Sequence, residues 1–163
     1  MAVSTLLSNA FGFFNVGSLG LSPFTIEGYE KASQSFKAGA VVIRDTGTVA
    51  IAGADATADI IGVAQGPASG VTHGKVNIVP GWGNRFECTF EDQSNENHAL
   101  VVTNMYTDFA IQVDSSGNFY ADENDTTNTG VVIVGANKSD IDAAKVRARV
   151  IVVFLADALI NQT

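Results

Sequence analysis

A chain of 163 residues is long enough for one domain with a real core, and 46% hydrophobic against 16% charged residues excludes general disorder. Seventeen Asp and Glu against nine Lys and Arg leave a net charge of −8, with no basic cluster to gain the counterion release that drives nucleic-acid binding. No direct nucleic-acid partner is expected, and the abundance of Ser, Thr, Asn and Gly implies a polar, uncharged exterior of the kind common on particle-bound β proteins.

The chain opens on "MAVSTLLSNAFGFF", which is apolar but lacks a basic n-region and is interrupted by Asn9. Neither a secretion signal nor a membrane span is expected from it. A short helix is predicted over Val3 to Ala10, followed by an extended arm, because Gly12, Gly17 and Gly20 disfavour helix beyond residue 11. Phe11, Phe13, Phe14, Leu19 and Leu21 keep neither a helical nor an alternating period. Left exposed they form an unusual patch for a monomer, so the arm, residues 1–24, is expected to bury them across a subunit boundary. These five side chains and Trp82 are the candidate interface residues.

A single β domain is expected over 25–163. "AVVIRD" and "TVAIAG" flank the tight-turn signature Asp45-Thr46-Gly47 and predict a hairpin. "IIGVAQG" is a short apolar strand ending in the turn "GPASG", and "KVNIVP" alternates. Pro80-Gly81-Trp82-Gly83 is a turn into "NRFECTFE", where Phe86, Cys88 and Phe90 share one face and Arg85, Glu87 and Thr89 the other. After the charged loop "EDQSNENH", strands are predicted in "ALVVTNMY" and "FAIQVD", with Asp114-Ser115-Ser116-Gly117 turning into "NFYAD". "VVIVGA" follows, then a loop or single helical turn in "KSDIDAAK" with Ser139 as its N-cap. In the last segment a helix over 140–159 competes with a strand, and the β-branched density from Val150 to Val153 favours the strand. Short strands spaced by polar turns predict an all-β fold, a compact antiparallel β-barrel or β-sandwich. A weak internal echo links the Asp45 hairpin and "IIGVA" to the Asp114 turn and "VVIVG".

Catalytic chemistry is thin. Cys88 is the only cysteine, so no internal disulfide forms, and an inert inward-facing thiol is expected in its alternating strand. His73 and His98 lack partners at metal-ligand spacing. Asp122, Glu123 and Asp125 form the densest carboxylate group; Ca²⁺ is one reading, a solvated loop the plainer one. Trp82 at its turn apex reads equally as a sugar-stacking platform, an interface anchor or a ring laid on the barrel rim. No triad, paired-acid or nucleotide-binding signature emerges, so the expectation is a protein that is not an enzyme and needs no cofactor or metal.

"FKAGAVVIRDTGTVAIAGADATADIIGVAQGPASG" resembles the N-terminal half of small structural proteins of tailed bacteriophages, with a "K-x-G-x-V" opening to a hairpin and an "I-x-G-V-A" strand. "NRFECTF", "VDSSGNFYADENDTTNTGVVIVG" and "VRARVIVVFL" are similar to their C-terminal half, in the same order, from about Phe36 to Leu155. The family is that of capsid decoration, or cement, proteins. The resemblance implies a β-rich, non-enzymatic protein on the outer capsid surface of the virion, clamping neighbouring major capsid protein subunits. A homo-oligomer is expected, a trimer first and a dimer second, since closed symmetry suits local three-fold axes. The rival reading is a receptor- or carbohydrate-binding virion domain (head fibre or adhesin) that stacks sugars on Trp82, Tyr106, Phe119 and Tyr120.

Overall fold

The computed structural model describes residues 12–18, 24–92, 100–141 and 148–160. The helix predicted over Val3 to Ala10 lies outside these residues, as do Phe11, Leu19, Leu21 and His98. Among the described residues eleven strands make up nearly all the regular structure: β1 (Phe14–Ser18), β2 (Ile26–Tyr29), β3 (Val41–Asp45), β4 (Thr48–Ile51), β5 (Ile60–Ala64), β6 (Lys75–Pro80), β7 (Asn84–Glu91), β8 (Asp108–Val113), β9 (Phe119–Asp122), β10 (Thr129–Ala136) and β11 (Ala148–Phe154). The all-β expectation holds, and the strand wins over the helix at 148–154. There every second residue is buried, the period of a strand with one face in the core.

The strands form two sheets of the same plan. The first runs β2-β6-β5-β3-β4 and the second β7-β11-β10-β8-β9, so each of β2 to β6 has its counterpart five strands later. Both place a one-residue register shift at the corresponding pair, β3 with β5 and β8 with β10. The second sheet closes into a five-stranded barrel where β9 pairs in parallel with the C-terminal half of β7, Thr89 opposite Tyr120 and Glu91 opposite Asp122. The first comes round by a shorter parallel contact, Glu30 opposite Val49, with the Lys31 amide donating to the Val49 carbonyl at 2.8 Å. The faint echo in the sequence is therefore a repeated topology.

β1 stands outside this repeat. It pairs antiparallel with the N-terminal half of β7, Phe14 opposite Glu87 and Ser18 opposite Asn84, on the side that β9 takes further along. Phe13 is fully buried and stacks on Phe154 with ring centroids 5.6 Å apart. Phe154 in turn meets Phe86 edge-on at 5.2 Å. This corrects the expected organisation. Residues 12–18 belong to the domain, and Phe13 anchors its core instead of facing a neighbour.

Two local expectations also give way. "ALVVTNMY" does not form a strand; Val102–Asn104 is a single 3₁₀ turn because the Asn104 side chain accepts the Val101 amide at 2.8 Å. Such a local side-chain bond competes with any ladder. The 3₁₀ turn at Lys138–Asp140 is capped by Asn137, which accepts the Ser139 amide at 3.2 Å, so Asn137 and not Ser139 is the N-cap. The Thr46-Gly47 turn has positive φ at both residues, 49° and 84°, the twist a two-residue hairpin demands.

Candidate functional site

Among the described residues a concavity lies at the edge of the first sheet, where the β6–β7 turn meets β2. Asn84 builds that turn: it is buried, and its side-chain amide donates to the Pro80 carbonyl at 2.9 Å and to the Trp82 carbonyl at 3.3 Å. The Gly81 amide is held by the Ile61 carbonyl at 2.8 Å. Trp82 is thereby fixed, half-buried, as one wall of a pocket of about 520 Å³. That volume lies within the range of ordinary ligand and peptide pockets. Ile26, Val49, Ile61 and Ile78 supply an apolar floor, and Ile160 a second wall. The terminal segment is placed by two backbone bonds, Ile60 amide to Ala158 carbonyl and Ile160 amide to Ile60 carbonyl, each 2.9 Å.

The polar rim is already neutralised. Glu27 pairs with Lys75 at 3.0 Å and Arg44 with Asp59 at 2.7 Å. Phe24 and Tyr29 stand beside it, each about half exposed (48% and 50%). No nucleophile with an adjacent base lines this pocket. An uncharged, apolar occupant suits it best, because a charged one finds no unpaired counter-charge on the rim.

The main-chain groups here are as telling as the side chains. The Lys31 amide points toward β4 and the Glu30 amide toward Gly74, beyond the end of β6. By strand alternation the amides of Glu27 and Tyr29 face the same way as that of Lys31, away from β6 and into the pocket. On that side β2 meets β4 through the parallel bridge of Glu30 with Val49, at the C-terminal end of the strand.

The remaining candidates separate. Of the six interface residues, Trp82 lines the pocket, Phe13 is core, Phe14 opens β1, and Phe11, Leu19 and Leu21 fall outside the described residues. Cys88 is wholly buried, and burial pushes its thiol far up, which makes it a poor nucleophile. Phe119 and Tyr120 are buried and offer no stacking face; burial, with Asp122 and Glu91 nearby, pushes the Tyr120 hydroxyl up to about 12. Tyr106 is 80% exposed at a positive φ of 62°, an uncommon state for a bulky residue. His73 is an exposed loop residue.

The carboxylates read as Ca²⁺ candidates serve as turn acceptors. Asp122 accepts the Asn124 amide at 3.0 Å, and Asp125 accepts the amides of Thr127 and Asn128 at 2.7 and 3.1 Å. Among the described residues no three His, Cys, Asp or Glu side chains come together as a metal site. Sequence reasoning singled out Trp82 but not its pocket, whose lining comes from five separated stretches of chain.

No protein-family model matches this chain, and no curated protein matches it.

Proposed function

We propose that this protein is a structural component of a tailed-phage virion, decorating the outside of the capsid and bridging major capsid protein subunits. The observation that carries the reading is the pocket beside Trp82: apolar, flanked by half-exposed Phe24 and Tyr29, charge-neutral at its rim and without a catalytic pair. Such a surface binds and does not transform. The ordered resemblance of the strand segments to cement proteins and the polar, acidic exterior support the same role. So does the architecture, since two closed sheets sharing one core make a stiff carrier for a contact surface. A homo-oligomer, trimer before dimer, fits bridging sites on a closed shell. No nucleic-acid or membrane partner is proposed; no helix among the described residues is long and apolar enough to cross a membrane.

The test is a comparison of purified particles with and without the protein in a thermal DNA-release assay. Saturating occupancy should raise the release temperature, and an equal temperature at full occupancy removes the stabilising role. Tyr106, exposed and held at positive φ, favours a second reading as a receptor- or carbohydrate-binding domain. Glycan-array binding by the isolated protein, with no recruitment to capsids, would select it.

A further inference from the structure

We propose that the Asp55 and Asp125 carboxylates and the Gln112 carboxamide oxygen form a binding site for a hard divalent cation, Ca²⁺ by preference, between the β4–β5 and β9–β10 loops.

Gln112 lies on β8, where Phe109 and Ile111 face the core and strand alternation turns Gln112 outward. It is nevertheless only 6% exposed. The β4–β5 loop meets it there, held by the Asp55 amide, which donates to the Ile111 carbonyl at 2.8 Å. The Gln112 Nε2 donates to Asp55 Oδ1 at 2.5 Å, but Oε1 on the same carboxamide is buried with no hydrogen-bond partner. A buried acceptor left without a bond is costly and rare. A half-turn of the carboxamide does not help, since it sets Oε1 against the Asp55 carboxylate. In either orientation an oxygen lacks an electropositive partner.

Asp125 brings a second carboxylate to the same place. Its carbonyl accepts the Ala110 amide of β8 at 2.8 Å, and its side chain comes within hydrogen-bonding reach of the Asp55 side chain. Two ionised carboxylates in contact repel unless something positive lies between them. Among the described residues no Lys or Arg pairs with either, or with the buried Asp122 near them. Burial first, then the charges of Asp92, Asp125 and Asp55, hold the Asp122 carboxyl above the ordinary range, as expected beside uncompensated negative charge.

A proton shared by Asp55 and Asp125 relieves their contact but leaves the Gln112 oxygen orphaned. A cation satisfies all three groups at once. The donors are oxygens only, two anionic and one neutral, which suits a hard divalent ion. They come from two loops and a strand, a set that fits Ca²⁺ and its adaptable coordination better than Mg²⁺, which demands a near-ideal octahedron. Asp125 can serve without giving up its turn, because an oxygen that accepts the Thr127 and Asn128 amides belongs to a carboxylate with lone pairs to spare. Only two donors are charged, so no trio of His, Cys, Asp and Glu marks the place, and affinity should fall in the weak range of about 10⁻⁴–10⁻³ M. The bound ion clips a loop of the first sheet to a loop of the second. This is a property of the isolated protein, independent of the capsid role.

The metal-stripped full chain is titrated with CaCl₂ at fixed ionic strength and followed by calorimetry and thermal melting. One Ca²⁺ per chain should bind saturably, and millimolar Ca²⁺ should raise the melting midpoint by several degrees, with Mg²⁺ clearly less effective. Asp55→Asn keeps the backbone bond to Ile111 and an acceptor for Gln112, and Asp125→Asn keeps an acceptor for its turn. Each should weaken Ca²⁺ binding by about tenfold. Gln112→Glu turns the orphan oxygen into a charged ligand, so it should bind Ca²⁺ about tenfold more tightly while melting earlier than the parent without metal. If that variant does not fold, the two Asp variants decide. A Ca²⁺ shift that survives in both Asp variants, or that Mg²⁺ or NaCl reproduces in full, belongs to the general acidic surface and overturns the proposal. Unchanged affinity in a folded Gln112→Glu overturns it as well. So does a full chain that ignores Ca²⁺, and its stabilisation by mild acid instead would identify a shared proton.

Discussion

Glu30 shows what one buried charge does here. It is fully buried, and its carboxylate accepts the Ser69 amide at 2.9 and 3.0 Å, the Ser69 hydroxyl at 3.0 Å and the Gly70 amide at 3.2 Å. Its own backbone is tied to Gly74 and His73. The 66–74 loop is thus tied to this side chain at Ser69 and Gly70, beside the Ala68 amide's bond to the Phe36 carbonyl at 2.9 Å. Glu30→Ala should cost at least about 1–3 kcal/mol in urea melts, since buried donors lose their acceptor, and should expose the loop to proteolysis. Three other carboxylates contribute to the pH response. At Asp114 burial pushes the carboxyl up, but the Asn118 amide, the Asn118 side chain and the Ser116 amide outweigh it and hold it below the ordinary range. The Thr127 and Asn128 amides do the same for Asp125. Their stabilisation is complete above the ordinary carboxylate range and is lost as pH falls through the lowered folded values. Asp122 has the opposite sign: burial, with Asp92, Asp125 and Asp55 nearby, raises it above the ordinary range. Its ionisation therefore costs stability, a cost that appears as pH rises through that range. Asp122→Asn, whose carbonyl can still accept the Asn124 amide, should stabilise at pH 7 and change little at pH 3; equal effects at both values would refute this sign.

At the scale of elements, two features of the strands are decided by contact. A Cβ on Gly62 lies 2.0 Å from the Val79 carbonyl oxygen and 2.8 Å from the Gly81 amide. The backbone at the end of β6 occupies that space, so β5 and β6 approach this closely only because residue 62 has no side chain. Gly62→Ala should destabilise by roughly 1–3 kcal/mol as the strands are forced apart, read as a lower denaturation midpoint with unchanged slope. β1 is the second case. Phe13 fills the space against Phe154, and the strand covers β7. Phe13→Ala should cost roughly 3–5 kcal/mol, the range for an emptied Phe site in a core. Deleting residues 1–22 should therefore unfold or severely destabilise the protein, read as loss of the native circular dichroism.

For the whole molecule, the two sheets repeat one plan but share a single core. One buried cluster runs from Phe36, Val41 and Ile60 through Phe13 to Phe86, Phe90 and Ile133. Backbone bonds also cross between the sheets, Phe13 amide to Gly39 carbonyl at 2.9 Å and Asp55 amide to Ile111 carbonyl at 2.8 Å. Gln112 adds a side-chain bond to Asp55. Unfolding should consequently be one cooperative transition, with calorimetric and van't Hoff enthalpies equal. Two resolved transitions would show the halves to be independent domains.

Alternating patterns alone determined much of this protein. The period-2 run from Asn84 to Glu91 places Phe86, Cys88 and Phe90 in the core, and the turns at Thr46-Gly47 and Ser115–Gly117 fall where their residues require. Both signals are local, set by strand geometry and by the few residues that accept positive φ. The first segment is aperiodic for a physical reason. A strand of five residues with a register shift between Asn15 and Gly17 shows no clean alternation, and nothing local announces that β7 has a free side to receive it. The pocket beside Trp82 was equally hidden. Its lining comes from β2, the β3–β4 hairpin, β5, β6 with the Trp82 turn, and Ile160, which only the pairing of distant strands brings together. Strand pairing between distant segments is a tertiary decision, because the hydrogen-bonding edge of a strand carries no residue code.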